Sequence, residues 1–320
     1  MLQCSIASPG SGVPQTNAAW RKQNLGYWLF AASGMFTRDK LATVRTGGFS
    51  GVTDALLTLL IHIDPQGTRV TDLAARGGLT KQSVTELIDR AGKLGAVVRQ
   101  ADPADKRARI VQFTPYGALI FEHLQQGIAA AERRFVDSAG ADFARAFKDR
   151  FGAYSALPVI DVGVVGEGSG ERAGNRAEAA WRSGNVGRVF ALASRRFASA
   201  ALGQVHRQQY REVSEVMLAL FRNLDLEGTR LTELAARAHM TKQSMRELVD
   251  RADAQGLVER RGDPADRRAK MIDFTAAGLA MLEEMRIGLA AAETAAAGIV
   301  GAEFLAETKR RLSDYVARLG

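Results

Sequence analysis

The chain has 320 residues, a formal net charge of +8 and a hydrophobic fraction of 46%. This length suffices for two domains of ordinary size, and the composition is that of a folded globular protein. The basic balance favours a polyanionic partner, nucleic acid first, although a mildly basic charge is common among soluble proteins. The single cysteine, Cys4, excludes an internal disulfide and a thiolate metal site.

Several function classes find no support in the sequence. No stretch approaches the ~18 uninterrupted apolar residues of a membrane span, and no secretion signal is recognisable, so we expect a cytoplasmic protein without membrane contact. The four histidines are scattered without metal-ligand spacing, which predicts no metal and no cofactor. No nucleophile–base pair is visible, so the sequence predicts no enzyme.

Most of the sequence occurs twice, at a constant offset of 161 residues. Residues 67–117 align with residues 228–278 without a gap, and 29 of these 51 positions are identical. The period is too long and the copies are too few for a solenoid. A duplicated domain whose copies pair about a pseudo-two-fold axis is the simpler interpretation, and it predicts a monomer that acts as a pseudo-dimer.

Composition divides the chain into four predicted segments. Residues 1–15 are rich in Ser, Gly and Pro and are expected to form a disordered tail. The first repeat follows at 16–156 and the second at 177–320, joined by a Gly-rich linker at 157–176.

Each repeat opens with a predicted helix that is apolar on more than one face, as expected at a subunit interface. In the first repeat this helix covers about 16–36, and in the second it starts near Ala177. Gly47-Gly48 is expected to break a helix that the second repeat continues.

A helix-turn-helix is predicted in the middle of each repeat. In the first repeat Thr71 is expected to cap a short helix over 72–76, and Thr80 caps the next helix. Thr241 takes the same place in the second repeat. The apolar residues of the second helix recur at a period of 3.6 residues: Val84, Leu87, Ile88, Ala91 and Leu94.

A β-hairpin with a basic tip follows, with predicted strands at Val97–Arg99 and Ile110–Phe113. Thr114-Pro115 then opens a long helix, as does Thr275 in the second repeat. The last helix of each repeat carries an apolar stripe that predicts packing on another helix. The stripes are Phe143, Phe147, Phe151 and Tyr154, and Phe304, Leu312, Tyr315 and Leu319.

These motifs resemble those of MarR/SlyA-type winged-helix transcriptional regulators. The resemblance rests on Thr80-Lys81-Gln82-Ser83 and Asp102-Pro103-Ala104-Asp105-Lys106-Arg107, and on their counterparts in the second repeat. It implies a mainly α fold with small β-hairpin wings, in which two winged helix-turn-helix lobes stand on a shared helical dimerisation platform. Family members are usually separate chains that form homodimers, so the fusion is a departure.

The resemblance implies sequence-specific binding of double-stranded DNA and transcriptional repression. Side chains at the start of the second helix would contact base edges in the major groove. The wing arginine would enter the minor groove, oriented by an ion pair with the wing aspartate. The helix candidates are Thr80, Lys81, Gln82, Ser83, Thr85 and Glu86, and Thr241, Lys242, Gln243, Ser244, Arg246 and Glu247. The wing candidates are Asp105, Lys106, Arg107 and Arg109, and Asp266, Arg267, Arg268 and Lys270.

The two copies of the reading surface differ. Thr85 corresponds to Arg246, and Lys106 corresponds to Arg267. A homodimer must read two equal half-sites, whereas a fused pseudo-dimer is free to read unequal ones. The sequence therefore predicts an imperfect palindrome, with the reading helices in successive major grooves about 34–36 Å apart.

The resemblance also implies a small aromatic or phenolic effector, bound between the DNA-reading lobe and the helical interface. The candidates to line such a pocket are Trp20, Trp28, His62 and Trp181. An aromatic core at a helix interface is the favoured interpretation of each of these residues. An alternative function is a duplicated winged helix that has lost DNA reading and binds a ligand or protein, which the divergence of 35–50 from 196–211 favours.

Overall fold

The structure is a computed structural model in which the described residues are 23–77, 79–103, 105–157, 184–238, 240–263 and 270–319. The predicted tail at 1–15 and all but the first residue of the predicted linker lie outside them. The described chain is mainly helical, with two small antiparallel sheets. None of its helices is by itself long and apolar enough to cross a membrane; one consecutive pair, interrupted at Gly301, passes that test when joined.

The chain forms two compact units. The described residues of the larger unit lie between 28 and 196 and between 299 and 319, and those of the smaller unit lie between 23 and 27 and between 197 and 298. The larger unit therefore includes helices from both sequence repeats. The repeat boundaries given by the sequence remain a prediction.

The opening helices of the two repeats have equivalent bounds. Helix α1 spans Leu25–Thr46, and its counterpart, which we number α7, spans Val186–Arg207. The prediction that the second repeat continues this helix past Gly47-Gly48 is therefore wrong. In the second repeat the chain turns without glycine, and a hydrogen bond of 2.7 Å between the His206 ring Nε2 and the carbonyl of Val213 holds it there.

The winged helix-turn-helix of the first repeat lies in the larger unit. Its strands β1 (Thr68–Arg69), β2 (Val97–Asp102) and β3 (Asp105–Phe113) form an antiparallel sheet in the order β1-β3-β2, with Val97 paired to Phe113. Both hairpin strands are longer than predicted, and β1 was not predicted because two residues show no periodicity. The helices are α2 (Asp54–Leu60), α3 (Val70–Gly77) and α4 (Lys81–Lys93).

The smaller unit holds the same arrangement for the second repeat, with strands β4 (Thr229–Arg230), β5 (Val258–Gly262) and β6 (Lys270–Phe274) in the order β4-β6-β5. After a single 3-10 turn the helices are α8 (Leu218–Phe221), α9 (Leu231–Arg237) and α10 (Lys242–Ala254). One buried core joins the helices to the sheet and includes Leu220, Phe221, Leu234, Met245, Leu248, Val249 and Ile272.

Local capping chemistry fixes most of the helix starts. The hydroxyl oxygen of Thr80 accepts the backbone N–H of Ser83, and that of Thr114 accepts the N–H of Gly117, as predicted. The predicted cap at Thr71 is wrong, because α3 begins at Val70 directly after β1 and the Thr71 hydroxyl donates within its own first turn.

The remaining helices of the larger unit form a platform to which both repeats contribute. They are α5 (Pro115–Ala139), α6 (Ala141–Ala156) and α12 (Ala302–Leu319), the last following α11 (Ala276–Val300). The ring of Phe135 meets the rings of Phe190 and Tyr315 from the second repeat edge-on, with centroids 5.1 and 5.3 Å away. The predicted stripes are buried at Phe143, Phe147, Phe151, Tyr154, Leu312 and Tyr315; Phe304 is half-buried, and the Leu319 side chain lies outside the described part.

Candidate nucleic-acid interface

The start of α4 presents most of the predicted reading side chains on one exposed face. Capping by Thr80 holds the first turn, and the same cap recurs at Thr241 of α10, with N···O distances of 3.1 and 3.0 Å. The opposite face of each helix is buried in its lobe. Ser83 and Ser244 are half-buried, and the exposed side chains are Thr80, Lys81, Gln82, Thr85 and Glu86, and Thr241, Lys242, Gln243, Arg246 and Glu247.

Two arginines on the strands beside this face are neutralised by ion pairs. Arg99 on β2 lies 2.7 Å from Asp89 near the end of α4, and Arg260 on β5 pairs with Asp250 and Asp253 of α10. By contrast, the side chains of Lys81, Lys242 and Arg246 make no hydrogen bond or ion pair with any described residue. The starts of the two reading helices therefore present unpaired positive charge.

An ion pair that the sequence analysis did not identify anchors the wing. The Nε and Nη2 of Arg69 on β1 lie 2.6 and 2.5 Å from one oxygen of the buried Asp102 carboxylate. The hydrogen bond to Asp102 raises the pKa of Arg69. Arg230 and Asp263 repeat both distances in the smaller unit. The signal was available, because an Arg and an Asp recur 33 residues apart in both repeats.

The tip of the first wing differs from the expectation. Asp105 accepts the backbone N–H of Arg107 at 3.1 Å, and its other oxygen lies 3.8 Å from Arg69. The predicted ion pair between Asp105 and the Arg107 guanidinium is therefore wrong, because the carboxylate shapes the turn instead. Arg107 and Arg109 are exposed, and their side chains have no partner in the described chain.

The second wing is described only at its base. The predictions at Asp266, Arg267 and Arg268 lie outside the described residues, and so does the side chain of Lys106. Lys270 opens β6 and is exposed, without an ion pair to any described residue.

The structure describes two of the four effector candidates. Trp28 and His62 are half-buried in the larger unit, and the His62 carbonyl accepts a hydrogen bond of 2.9 Å from Arg76. Trp20 and Trp181 lie outside the described residues. A surface cavity of about 430 Å³ is lined by Ile88, Asp89, Gly92, Lys93, Val97 and Arg99, and none of the four candidates lines it. No group of three His, Cys, Asp or Glu side chains in the described ranges is placed to hold a metal ion.

Comparison with known proteins finds a family model that is similar to part of each repeat. The model of the MarR family matches the chain at residues 50–108 and again at 217–269. Each match covers the helix-turn-helix and enters the wing. No curated protein sequence matches the chain significantly.

Three solved structures are similar to this chain, and each covers less than half of it. CouR from Rhodococcus jostii RHA1, bound to p-coumaroyl-CoA, is 19% identical and covers 44% of this chain and 98% of its own, with a TM-score of 0.38. A "probable transcriptional regulator" from Pseudomonas aeruginosa is 22% identical over 35% of this chain and 83% of its own, with a TM-score of 0.29. The transcriptional repressor CouR bound to a 23-mer DNA duplex is 22% identical over 43% and 96%, with a TM-score of 0.36.

Two family matches, one in each repeat, agree with two winged helix-turn-helix lobes and with a platform built from both repeats. The fold is therefore mainly α with β-hairpin wings, as the sequence predicts. The chain therefore carries two segments, one in each repeat, that are similar to the MarR family.

Proposed function

We propose that the chain binds double-stranded DNA at specific sequences, through α4, α10 and the two wings, and thereby represses transcription. The observation that carries the proposal is the distribution of charge. Cations at the starts of both reading helices and at the first wing have no partner among the described residues, whereas Arg99 and Arg260 on the neighbouring strands are paired. Such a surface suits the phosphate backbone of a duplex.

The reading helices also offer groups that distinguish bases. The Gln82 amide lies within 3.4 Å of Glu86, and Gln243 stands 3.5 Å from Glu247 in the other lobe. Both contacts are long and exposed, so either amide is free to turn to a base. A glutamine amide matches the N6 and N7 of adenine with two hydrogen bonds.

The proposed target is one imperfect palindrome bound by one chain. The contacts between repeats within the larger unit take the place of a homodimer interface. We therefore propose that α4 contacts one half-site and α10 the other, without a second copy of the chain.

The test begins with selection of bound duplexes from a random pool. Affinity for the selected duplex is then measured by fluorescence anisotropy against a scrambled duplex of equal length. We expect Lys81→Ala, Lys242→Ala and Arg107→Ala each to weaken specific binding by about 10-fold. Arg145→Ala, an equally exposed arginine on the platform helix α6, is the matched control and should change nothing.

The same experiment separates the second candidate function. A chain that selects no sequence, or whose affinity the three substitutions leave unchanged, would instead be a binding module that has lost DNA reading. Repression is tested by placing the selected duplex in a reporter promoter, where the chain should lower expression.

We also propose control by a small aromatic or phenolic effector, supported by the family match and by half-buried Trp28 and His62. A panel of phenolic acids added to the preformed DNA complex should include compounds that release the duplex. Trp28→Ala should reduce that release without changing the affinity for DNA. Release that Trp28→Ala leaves unaltered would remove this residue from the pocket.

A further inference from the structure

We infer that the chain binds its operator in one fixed orientation, with guanine at the position that Arg246 reads and an A·T pair at the position that Thr85 reads. This inference rests on the proposed DNA binding and adds the asymmetry of the site. It depends on one difference between two otherwise matched reading faces.

The two faces coincide except at this position. Thr85 and Arg246 each stand five residues after the capping threonine of their helix. The other exposed residues of the face, a lysine, a glutamine and a glutamate, are identical in both helices. Any difference in base preference between α4 and α10 therefore falls mainly on this pair.

The hydroxyl of Thr85 is engaged in a hydrogen bond within its own helix. Its hydroxyl donates to the backbone carbonyl of Lys81 at 2.8 Å. The group that remains for a base is the methyl, and a threonine methyl makes apolar contact with the methyl of thymine. The α4 half-site is therefore expected to carry an A·T pair at this position.

The N–H donors of the Arg246 guanidinium are not engaged by any described residue. Arg246 is exposed, and its guanidinium makes no hydrogen bond or ion pair with the described residues. Asp250, one turn further along the helix, is already paired with Arg260. A free guanidinium matches the O6 and N7 of guanine with two parallel hydrogen bonds.

A second difference between the lobes does not add free charge. Gln100 in the first wing corresponds to Arg261 in the second. Arg261 is held at 2.6 Å by Asp273 and also donates to the carbonyl of Glu227. The extra arginine is neutralised where it stands, so we assign the asymmetry to the helices.

The consequence is directional binding. A homodimer has identical halves and binds a palindrome equally well in both orientations. In this chain, inversion would place Arg246 against the A·T pair and Thr85 against guanine. Each mismatch costs roughly 10- to 100-fold in affinity. One orientation is therefore occupied almost exclusively.

The experiment uses the selected operator and two symmetrised duplexes, one with guanine in both halves and one with the A·T pair in both. Thr85→Arg should prefer the guanine duplex by about 10-fold or more, and Arg246→Thr should prefer the A·T duplex by a similar factor. The double exchange should restore wild-type affinity for the operator. All substitutions are on the surface, and circular dichroism melts check that folding is unchanged.

Orientation is read directly by cleavage from an iron chelate on Lys93→Cys, made in a Cys4→Ser background. The labelled chain with Thr85 and Arg246 unchanged should cut one half of the operator. The labelled chain that also carries the double exchange should cut the other half. Equal cutting of both halves, or an Arg246→Thr chain with unchanged base preference, would overturn the inference while leaving DNA binding intact. A wild-type chain that selects no sequence would overturn the proposed function first.

Discussion

Phe143 packs against Phe304, its own counterpart 161 residues later, with ring centroids 5.4 Å apart. A residue meets its own copy only near a two-fold axis, so this contact places the pseudo-symmetry axis of the platform. The arginines beside it are reciprocal. Arg150 lies over the Phe304 ring and donates to Val300, and Arg311 lies over the Phe143 ring and donates to Ala139. Within the larger unit the repeats therefore pair as an isologous dimer does.

The reciprocal arginines should contribute equally to stability. Arg150→Ala and Arg311→Ala each remove a cation–π contact and a charged donor from a helix-terminal carbonyl. We expect each to lower the free energy of unfolding by about 1.5–3 kcal/mol in urea titrations. Arg310→Ala, an exposed neighbour with only a long ion pair, is the control and should cost less than ~0.5 kcal/mol. A large cost at one arginine and none at the other would contradict the reciprocity.

The long helices α5 and α11 each require glycine at their first turn. A Cβ on Gly117 would stand 1.8 Å from the carbonyl oxygen of Ala96, and one on Gly278 would stand 1.9 Å from that of Leu257. Each contact is with backbone, which cannot move aside without distorting the fold. Gly117→Ala and Gly278→Ala should therefore each lower the free energy of unfolding by at least ~2 kcal/mol in thermal melts.

Gly152 of α6 is the matched control for these substitutions. A Cβ there would meet no atom within 4 Å. Gly152→Ala should therefore stabilise the chain by roughly 0.5–1 kcal/mol, because alanine loses less backbone entropy in a helix. Equal changes in the free energy of unfolding for Gly117→Ala and Gly152→Ala would contradict the close approach of Gly117 to the Ala96 carbonyl.

Buried Tyr315 should make stability depend on pH in the alkaline range. Burial, reinforced by the nearby Asp39 carboxylate, raises the pKa of Tyr315 from 10.0 to about 12. The unfolded chain loses this proton at a lower pH than the folded chain, so the contribution is complete below pH 10 and lost as the pH rises to 12. This loss amounts to roughly 2–3 kcal/mol of unfolding free energy.

Tyr315→Phe isolates this effect. Its hydroxyl is buried without a hydrogen-bond partner among the described residues, so the substitution should raise stability by about 1 kcal/mol at pH 7. It should also flatten the alkaline decline in urea titrations between pH 9 and 12. A decline of unchanged steepness would assign the titration to other groups, such as Tyr154, whose pKa burial also raises.

Salt should weaken the proposed DNA complex steeply. Six to ten phosphate contacts correspond to a loss of about 10³–10⁵ in affinity between 50 and 200 mM salt. Arg107→Ala should reduce the slope of log K against log salt by about 1, because it removes one cation. Glu122→Ala on α5 serves as a control that removes an exposed charge without altering the reading surface, and its slope should match that of the wild type.

Local chemistry explains which features the sequence could predict. The caps at Thr80 and Thr114 depend on groups three residues away, and the helix-turn-helix depends on a period within one helix. The cap at Thr71 failed because a tertiary contact, the pairing of Thr68 with Val111, decides where α3 begins. Strand pairing next to a helix start therefore outweighs local helix propensity.

The contacts between residues far apart in the sequence were beyond sequence reasoning. Arg150 and Val300 are 150 residues apart, and Arg69 and Asp102 meet only once the sheet has formed. Neither pair follows a helix or strand period. The one available signal was repetition, since each pair recurs at the offset of 161, and repetition shows that a residue matters without showing its partner.

The number of chains on one operator tests the central claim most directly. Native mass spectrometry of the selected duplex with excess protein should give one chain per duplex, and replacing either half-site should weaken binding without changing that number. Two chains per duplex, each occupying one half-site, would contradict the account of a single polypeptide that supplies both reading helices.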